Sequence, residues 1–371
     1  MEEKKDLKKE YELSVCLQCG KCVAGCPVSS KSKLNTRKLM RETLLHDVSK
    51  YIEEKSEIWE CTSCNTCAER CPRGLEPSKL IRALRGYMIE EGHIAKSVID
   101  ALESAYKYGN PFNMPKQKRA DWTEGMPVKK ASESETLYYV GCVPSYDNRV
   151  KNVAKSLTGC LTKSGTDFGI LGTEEVCCGS EIRRLGEEGL FEELSEGLKS
   201  ALKENNIKRI ITTSPHCYNA FKNEYNLEGV EVFHYTQIIA KAIKEEKLKI
   251  TKEMKKRITY HDPCFLGKQN KIFDEPREII KSIPGIDFVE FDRSREKSLC
   301  CEGGGGRMWI ETESTTRLSE TRVKDAVSMG AEIIAVSCPF CMLTLEDAVK
   351  TADLEGKIQV KDISEILIES L

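Results

Sequence analysis

Five cysteines in the last third of the chain are the residues best suited to chemistry. Cys264 ends an apolar run, Cys300 and Cys301 are adjacent, and two residues separate Cys338 from Cys341. Thirty-five residues lie between Cys264 and Cys300, and thirty-six lie between Cys301 and Cys338. Three loops that are distant in sequence therefore supply five thiols, a pattern that favours a metal cluster over a disulfide cross-link.

Eight further cysteines form two runs of identical spacing, Cys-x2-Cys-x2-Cys-x3-Cys-Pro. This spacing wraps three thiolates around one cubane iron–sulfur cluster and sends the fourth to a neighbouring cluster. We therefore assign one [4Fe–4S] cluster to Cys16, Cys19, Cys22 and Cys71, and a second to Cys61, Cys64, Cys67 and Cys26. A structural zinc site is the alternative for Cys-x2-Cys pairs, but two complete runs that each end in Cys-Pro disfavour it.

The elements that must position these two runs are helices. Leu80, Ile81, Leu84 and Met88 follow helical spacing after the second run. Residues 1–95 are therefore predicted to be an α-helical ferredoxin domain that passes single electrons. The sequence Gly109-Asn110-Pro111 and the polar, aperiodic segment 129–135 then predict a linker over residues 96–135.

The remainder of the chain is an internal repeat. Cys142 and Cys264 are 122 residues apart, the pairs Cys177-Cys178 and Cys300-Cys301 are 123 apart, and Cys217 and Cys341 are 124 apart. Each half alternates short β-branched runs with helical segments, which favours parallel sheets covered by helices. We therefore predict two α/β halves, 136–256 and 257–371, with the cysteines at the carboxyl ends of the strands, where such sheets bind ligands.

Composition sets limits on partners and location. The 371 residues include 57 basic and 59 acidic side chains, for a formal net charge of −2, so no global field would recruit nucleic acid or an anionic membrane. The first six residues have no apolar core that could serve as a signal peptide. We expect a cytoplasmic protein whose eighteen cysteines serve metal binding or redox chemistry, with membrane association only through a partner.

The repeat, with its Cys-Cys-Gly and Cys-x2-Cys elements, resembles the cysteine-rich domain of the B-type subunit of heterodisulfide reductase. The segment that begins Cys16-Leu17-Gln18-Cys19 and continues to Cys71-Pro72-Arg73-Gly74 is similar to the C-type subunit of the same enzyme. The whole chain thus resembles a fusion of the C-type and B-type subunits, as in the D-type subunit. Iron–sulfur subunits of glycolate, lactate and glycerol-3-phosphate dehydrogenases share this layout.

The resemblance implies a metal site in each half, but the two halves differ. In this family a complete motif holds a noncubane [4Fe–4S] cluster through five cysteines, which correspond here to Cys264, Cys300, Cys301, Cys338 and Cys341. In the first half Ser214 replaces one cysteine, leaving Cys142, Cys177, Cys178 and Cys217. These four would hold a conventional cluster, share a cluster with the Ser214 oxygen, or survive as a scaffold, and the sequence leaves the three alternatives open.

The implied chemistry is delivery of two electrons, one at a time, to a disulfide. Two protons must also arrive, and His261, three residues before Cys264, is a candidate donor because imidazole titrates near neutral pH. Its alternative role is a strand-end residue that is hydrogen-bonded to backbone. The run Gly303 to Gly306 is predicted to let the backbone closely approach the cluster of the second half.

Two functions follow from the resemblance. The first is the catalytic subunit of a disulfide reductase complex, in which two cubane clusters feed a noncubane cluster that reduces a disulfide. The alternative is an electron-relay subunit of a flavoprotein 2-hydroxyacid or glycerol-3-phosphate dehydrogenase. The sequence has neither a flavin motif nor a heme-attachment Cys-x-x-Cys-His, so we expect a flavoprotein or a membrane cytochrome subunit as the electron donor.

Overall fold

The computed structural model of the protein describes residues 6–46, 56–311 and 317–371. The first five residues, on which the expectation of no signal peptide partly rests, lie outside the described residues. The amino-terminal part is helical, as predicted. Its helices are α1 (Leu7–Glu10), α2 (Lys21–Gly25), α3 (Thr36–Leu45), α4 (Thr66–Glu69) and α5 (Pro77–Glu90).

Local chemistry explains where these helices begin and which face they bury. Asn35 caps α3 by accepting a hydrogen bond from the Lys38 amide at 3.0 Å. Helix α5 begins at Pro77, whose fixed φ suits the first helical position. All four apolar residues predicted for α5 are buried, so its apolar stripe faces the domain core.

The segment 96–135, predicted as a linker, has regular structure and belongs to the folded body. It contains helix α6 (Lys96–Tyr108) and strand β1 (Lys129–Lys130), and β1 pairs in parallel with a strand of the first half. Trp122 is buried in the core that the two halves share. The strand could not be predicted from the polar composition of the segment, because a short edge strand needs few apolar residues.

The first half is a parallel α/β unit. Its strands are β2 (Thr136–Tyr139), β3 (Gly169–Ile170), β4 (Arg209–Thr212) and β5 (Glu231–His234), and with β1 they form one sheet in the order β1-β3-β2-β4-β5. Its helices are α7 (Cys142–Tyr146), α8 (Lys151–Lys163), α9 (Ser180–Leu185), α10 (Glu188–Glu204), α11 (Pro215–Asn223) and α12 (Tyr235–Lys244).

The second half repeats this topology. Its strands are β6 (Arg257–Tyr260), β7 (Asp287–Val289), β8 (Ile333–Val336) and β9 (Gln359–Asp362), all parallel in the order β7-β6-β8-β9. Its helices are α13 (Asp274–Lys281), α14 (Leu318–Ser328), α15 (Pro339–Thr351) and α16 (Ile363–Ser370). This order matches β3-β2-β4-β5 strand for strand. The predicted fold class, an α-helical ferredoxin domain followed by a duplicated α/β unit with parallel sheets, is confirmed.

The two halves share one hydrophobic core. It contains Tyr138 and Ile211 from the first half together with Tyr260 and Leu367 from the second. The two tyrosines make corresponding hydrogen bonds, Tyr138 to the Thr213 hydroxyl at 2.8 Å and Tyr260 to the Ser337 hydroxyl at 2.7 Å. The duplication therefore extends from the cysteines to the buried polar contacts beneath them.

A buried arginine joins the ferredoxin domain to both halves. The Arg85 guanidinium donates to the carbonyl oxygens of Cys61, Arg184 and Gly305, each at 2.8 Å. Because these acceptors belong to three parts of the chain, loss of the guanidinium would leave buried carbonyls from all three without a donor. Among the described residues, no helix has the length and apolar character needed to cross a membrane.

Candidate functional site

The first ferredoxin cysteine set, Cys16, Cys19, Cys22 and Cys71, lines a single cavity. Cys71 comes from the second run and reaches the other three, as the spacing predicted. Cys19 is exposed and the other three are partly buried. Burial raises the pKa of Cys22. The structure thus brings the four predicted ligands together at the edge of the protein.

The second ferredoxin set, Cys26, Cys61, Cys64 and Cys67, lies deeper. Burial is the main cause that raises the pKa of Cys61 to about 11. The negative charges of the nearby Cys64 and Cys26 also contribute to this rise. Cys26 and Cys64 have the same effect on the pKa of Cys67. The set also touches the second half, because the Cys64 thiol is in hydrogen-bonding contact with Cys300.

All five predicted cysteines of the second half are buried and form a continuous chain of sulfur contacts. Cys300 contacts Cys264 and Cys301, and the Cys301 and Cys341 sulfurs are 3.3 Å apart. Cys338 contacts Cys341. Strands β6 and β8 position the set because Cys264 and Cys338 follow their carboxyl ends, as in other parallel sheets.

The first half gathers its four cysteines in the same way. Cys142 contacts Cys177, Cys177 contacts Cys178, and the Cys178 and Cys217 sulfurs are 3.3 Å apart. These four cysteines line one cavity, and Ser214 lines it with them. Its hydroxyl accepts a hydrogen bond from the His216 amide at 3.2 Å and so caps α11.

His261 reaches the second-half set, but its surroundings do not suit a proton donor. A ring nitrogen lies within 4.8 Å of the Cys301 and Cys341 sulfurs. Burial, together with the neighbouring Arg322, lowers the imidazole pKa to about 3. Arg322 also donates to Nδ1 at 3.3 Å. The ring is therefore neutral at neutral pH, which argues against the predicted donation from an imidazolium. The alternative prediction, a strand-end residue hydrogen-bonded to backbone, agrees with its position: His261 directly follows β6, and its backbone N–H donates to the Ala335 carbonyl at 3.0 Å.

His216, which sequence reasoning missed, is the charged imidazole of the site. It belongs to the first half yet contacts Cys338 of the second, and its Nδ1 lies 2.7 Å from Glu181 Oε1. Burial opposes protonation, but the Glu181 carboxylate and Cys338 outweigh it and raise the pKa to about 10. Burial alone would raise the pKa of Cys338, but contacts with Cys341 and His216 outweigh it and lower this pKa to about 5. The repeat offered a sequence signal for this residue, because the first half has a titratable histidine at position 216 where the second half has Phe340.

Two buried cations near the sulfur sets were also missed. The Arg119 guanidinium lies 3.6 Å from the Cys142 sulfur and is held by Glu175 at 2.7 Å. Lys268 donates to the Thr66 hydroxyl at 2.8 Å and to the Ser298 carbonyl at 2.7 Å, and its charge favours the thiolate of Cys64. Cations in these places stabilise negative charge on sulfur.

The donor sets fit iron–sulfur clusters. All eighteen cysteines are free, and the sulfurs of the pairs Cys178–Cys217 and Cys301–Cys341 are 3.3 Å apart, far longer than a disulfide bond of about 2.05 Å. Sulfur-only sets of four or five suit iron–sulfur clusters. The buried Nε2 of His261 also has no hydrogen-bond partner among the described residues, which points to a further group beside the second-half set.

Comparison with known proteins agrees with this architecture. Residues 136–222 and 258–346 match the cysteine-rich domain family, and the matches begin 122 residues apart, the offset of the repeat. Residues 12–75 match the 4Fe-4S dicluster domain family. The domain families therefore follow the order predicted from the motifs.

Three relatives illustrate the range of similar proteins. The probable iron-sulfur-binding oxidoreductase FadF of Bacillus subtilis is 38% identical over 85% of this chain and 47% of its own length. The EtfAB:quinone oxidoreductase of Syntrophomonas wolfei is 32% identical over 98% of this chain and 59% of its own length. The chain thus spans only about half the length of these two relatives.

The third relative is matched over almost its whole length. The D-type subunit of the dihydromethanophenazine:CoB–CoM heterodisulfide reductase of Methanosarcina barkeri is 32% identical over 97% of this chain and 94% of its own length. With these domains in this order, the protein belongs to the family of heterodisulfide reductase D-type subunits.

Proposed function

We propose that the protein is the catalytic subunit of a disulfide reductase complex. The observation that carries this proposal is the contact between Cys64 of the ferredoxin domain and Cys300 of the second-half set. Adjacent sulfurs give a short route for electrons from the ferredoxin domain to the one set with all five family cysteines. The near full-length similarity to the Methanosarcina D-type subunit supports the same interpretation.

In this proposal each cysteine set has a distinct part. Iron–sulfur clusters held by the two ferredoxin sets would supply one-electron transfer, and a noncubane cluster held by Cys264, Cys300, Cys301, Cys338 and Cys341 would supply disulfide chemistry. His216 donates a hydrogen bond to Cys338 and is oriented by Glu181. Because the second-half cysteines are buried, bulk water is excluded from the place where the disulfide would react.

Partners complete the proposed complex. A flavoprotein or a membrane cytochrome subunit would supply electrons to the ferredoxin domain, and a disulfide on a small molecule or carrier protein would accept them. The protein would be cytoplasmic and would reach a membrane only through such a subunit. Relatives whose names describe an oxidoreductase or a reductase subunit support participation in a larger system.

An electron-relay subunit of a flavoprotein dehydrogenase is the second candidate. The similarity to the EtfAB:quinone oxidoreductase favours it, because the matched region covers 98% of this chain. In this case electrons would leave the cysteine-rich halves toward a quinone rather than a disulfide. The two candidates therefore differ in the acceptor.

Acceptor choice and one pair of variants separate these candidates. The iron-loaded protein, reduced without oxygen by methyl viologen, is given the mixed disulfide of coenzymes M and B or a soluble quinone. We expect viologen oxidation that depends on the disulfide and is abolished in Cys338→Ala. Cys160→Ala is the control, since the Cys160 thiol is buried against the Ser364 carbonyl, outside every set. If protein with its full iron content reduces the quinone but does not cleave the disulfide, the proposal is overturned.

A further inference from the structure

The first ferredoxin set differs from the other three sets in its exposure. It contains the exposed Cys19, and beside it Leu17 is 64% exposed, one of the most exposed large apolar side chains of the described chain. Pro72, which lines the same cavity, is also exposed. An apolar centre therefore lies on the surface next to the set that is nearest to solvent.

Three basic side chains surround this apolar centre. Lys21, Arg37 and Arg73 line the cavity and are exposed, and we call these three the basic rim. No carboxylate lines the cavity within the described part of the chain. The rim is a local feature, because the whole chain carries 57 basic and 59 acidic residues.

Two acidic side chains that are close in sequence to Cys71 and Arg73 are paired with the protein's own lysines. Glu69 pairs with Lys271 at 2.5 Å, and Glu76 pairs with Lys79 at 2.5 Å. Helix α3 adds the exposed Arg41 to the same end of the domain. Among the described residues, no carboxylate forms an ion pair with a side chain of the basic rim, so the positive charge of the rim is available to a partner.

We infer that the basic rim and its apolar centre, Leu17 and Pro72, form the docking surface for an acidic protein that carries single electrons. Protein interfaces commonly combine an apolar centre with a polar rim, and opposite charges steer two partners together. Redox complexes commonly have small and transient interfaces, for which a patch of a few side chains is enough. The inference deepens the proposed function, because it assigns the site and the charge of the electron donor.

Binding of an oxidised flavodoxin of strongly acidic isoelectric point tests this surface. Its dissociation constant is measured by titration calorimetry with the full-length, iron-loaded protein at low and at high salt. The test variant is the triple substitution Lys21→Gln, Arg37→Gln and Arg73→Gln. We expect binding to weaken roughly 10-fold at low salt, since each rim charge contributes modestly, and we expect high salt to remove most of this difference.

A matched control makes the same change in charge elsewhere. Lys208, Lys249 and Lys252 are exposed and come before strands β4 and β6, whereas the cysteines follow the carboxyl ends of the strands. The triple change of these lysines to glutamine should leave flavodoxin affinity within about two-fold of the original, as expected for distant charges that are screened. A basic c-type cytochrome serves as the probe of opposite charge. It should bind the rim variant at least as tightly as it binds the original protein.

Iron content and the paramagnetic signal of the reduced ferredoxin clusters show whether the rim variant is intact. If that variant loses iron, the double variant Arg37→Lys and Arg73→Lys, which keeps the charge, must bind flavodoxin as the original protein does. Equal flavodoxin affinity of the original protein and an iron-loaded rim variant would overturn the inference, as would equal weakening by the control lysines. Because binding is measured without a disulfide, failure of disulfide cleavage would count only against the proposed function.

Discussion

At the scale of single residues, the ferredoxin cysteines could be predicted because their spacing along the chain sets their geometry. The histidines could not, because an imidazole pKa depends on neighbours from distant segments. A ring nitrogen of His261 lies within 4.8 Å of the Cys301 and Cys341 sulfurs, yet burial and Arg322 lower the imidazole pKa and keep the ring neutral. His216 acquires its charge only where the two halves meet, from Glu181 and Cys338.

Replacing His216 by Phe, the residue at the corresponding position 340, tests this charge. The variant loses the donor to Cys338 and leaves the Glu181 carboxylate buried without its cation, so we expect a loss of about 3–5 kcal/mol in unfolding free energy. Loss of a hydrogen bond to sulfur should also move the reduction potential of the proposed second-half cluster to more negative values. Urea unfolding and a redox titration followed by electron paramagnetic resonance measure the two effects.

The control for this variant is His234→Phe. His234 is also a buried first-half imidazole, but its ring nitrogens bond to Thr236 and the Thr213 carbonyl. Its loss should destabilise the fold and leave the reduction potential unchanged. Equal potentials for the original protein and His216→Phe would contradict the assigned hydrogen bond.

At the scale of elements, helix starts show what was predictable and what was not. Cys338 and Ser214 hold the same position before α15 and α11, and each is followed by a proline. Ser214 caps its helix, whereas the Cys338 side chain makes no capping hydrogen bond. The sequence showed the missing cysteine, but only the structure shows that serine keeps a capping role there.

The cap of α16 predicts a pH dependence. Asp362 accepts hydrogen bonds from Tyr235, and from the Ser364 amide and hydroxyl, and burial raises its pKa from 3.8 to about 7. As pH rises from about 4 to 7, the unfolded carboxyl ionises while the folded one keeps its proton, so this group progressively lowers stability. In Asp362→Asn an amide oxygen remains as acceptor and no charge is buried.

We therefore expect Asp362→Asn to be more stable than the original protein at pH 7, by at most a few kcal/mol, and the advantage to shrink toward pH 4. Unfolding midpoints of the two proteins, measured across this range, give the difference directly. Parallel pH profiles would show that the Asp362 carboxyl ionises as readily in the folded protein as in the unfolded chain.

At the scale of the whole molecule, the three parts could be predicted, but not how they join. Motif spacing and the repeat offset indicate a ferredoxin domain and two α/β halves, because both are local or periodic signals. The joints depend on single buried groups, such as Arg85, whose carbonyl acceptors lie in all three parts. The run Gly303 to Gly306 is predicted to approach the cluster, but at Gly305 the closest backbone neighbour is the ferredoxin loop.

Gly305 is where that approach is tightest. A Cβ at this position would lie 2.6 Å from the Cys61 carbonyl oxygen and 2.9 Å from Thr62 Cα, and the backbone φ is +70°. Gly305→Ala should therefore cost about 1–2 kcal/mol for left-handed backbone and a further 1–3 kcal/mol for overpacking against a backbone that cannot move aside. Gly330→Ala separates the two costs, because Gly330 has φ +71° but its nearest atoms are 3.9 Å away, on the Arg257 side chain. Urea unfolding should show Gly305→Ala to be the more destabilising change, and equal losses would mean that the ferredoxin domain is not held against this loop.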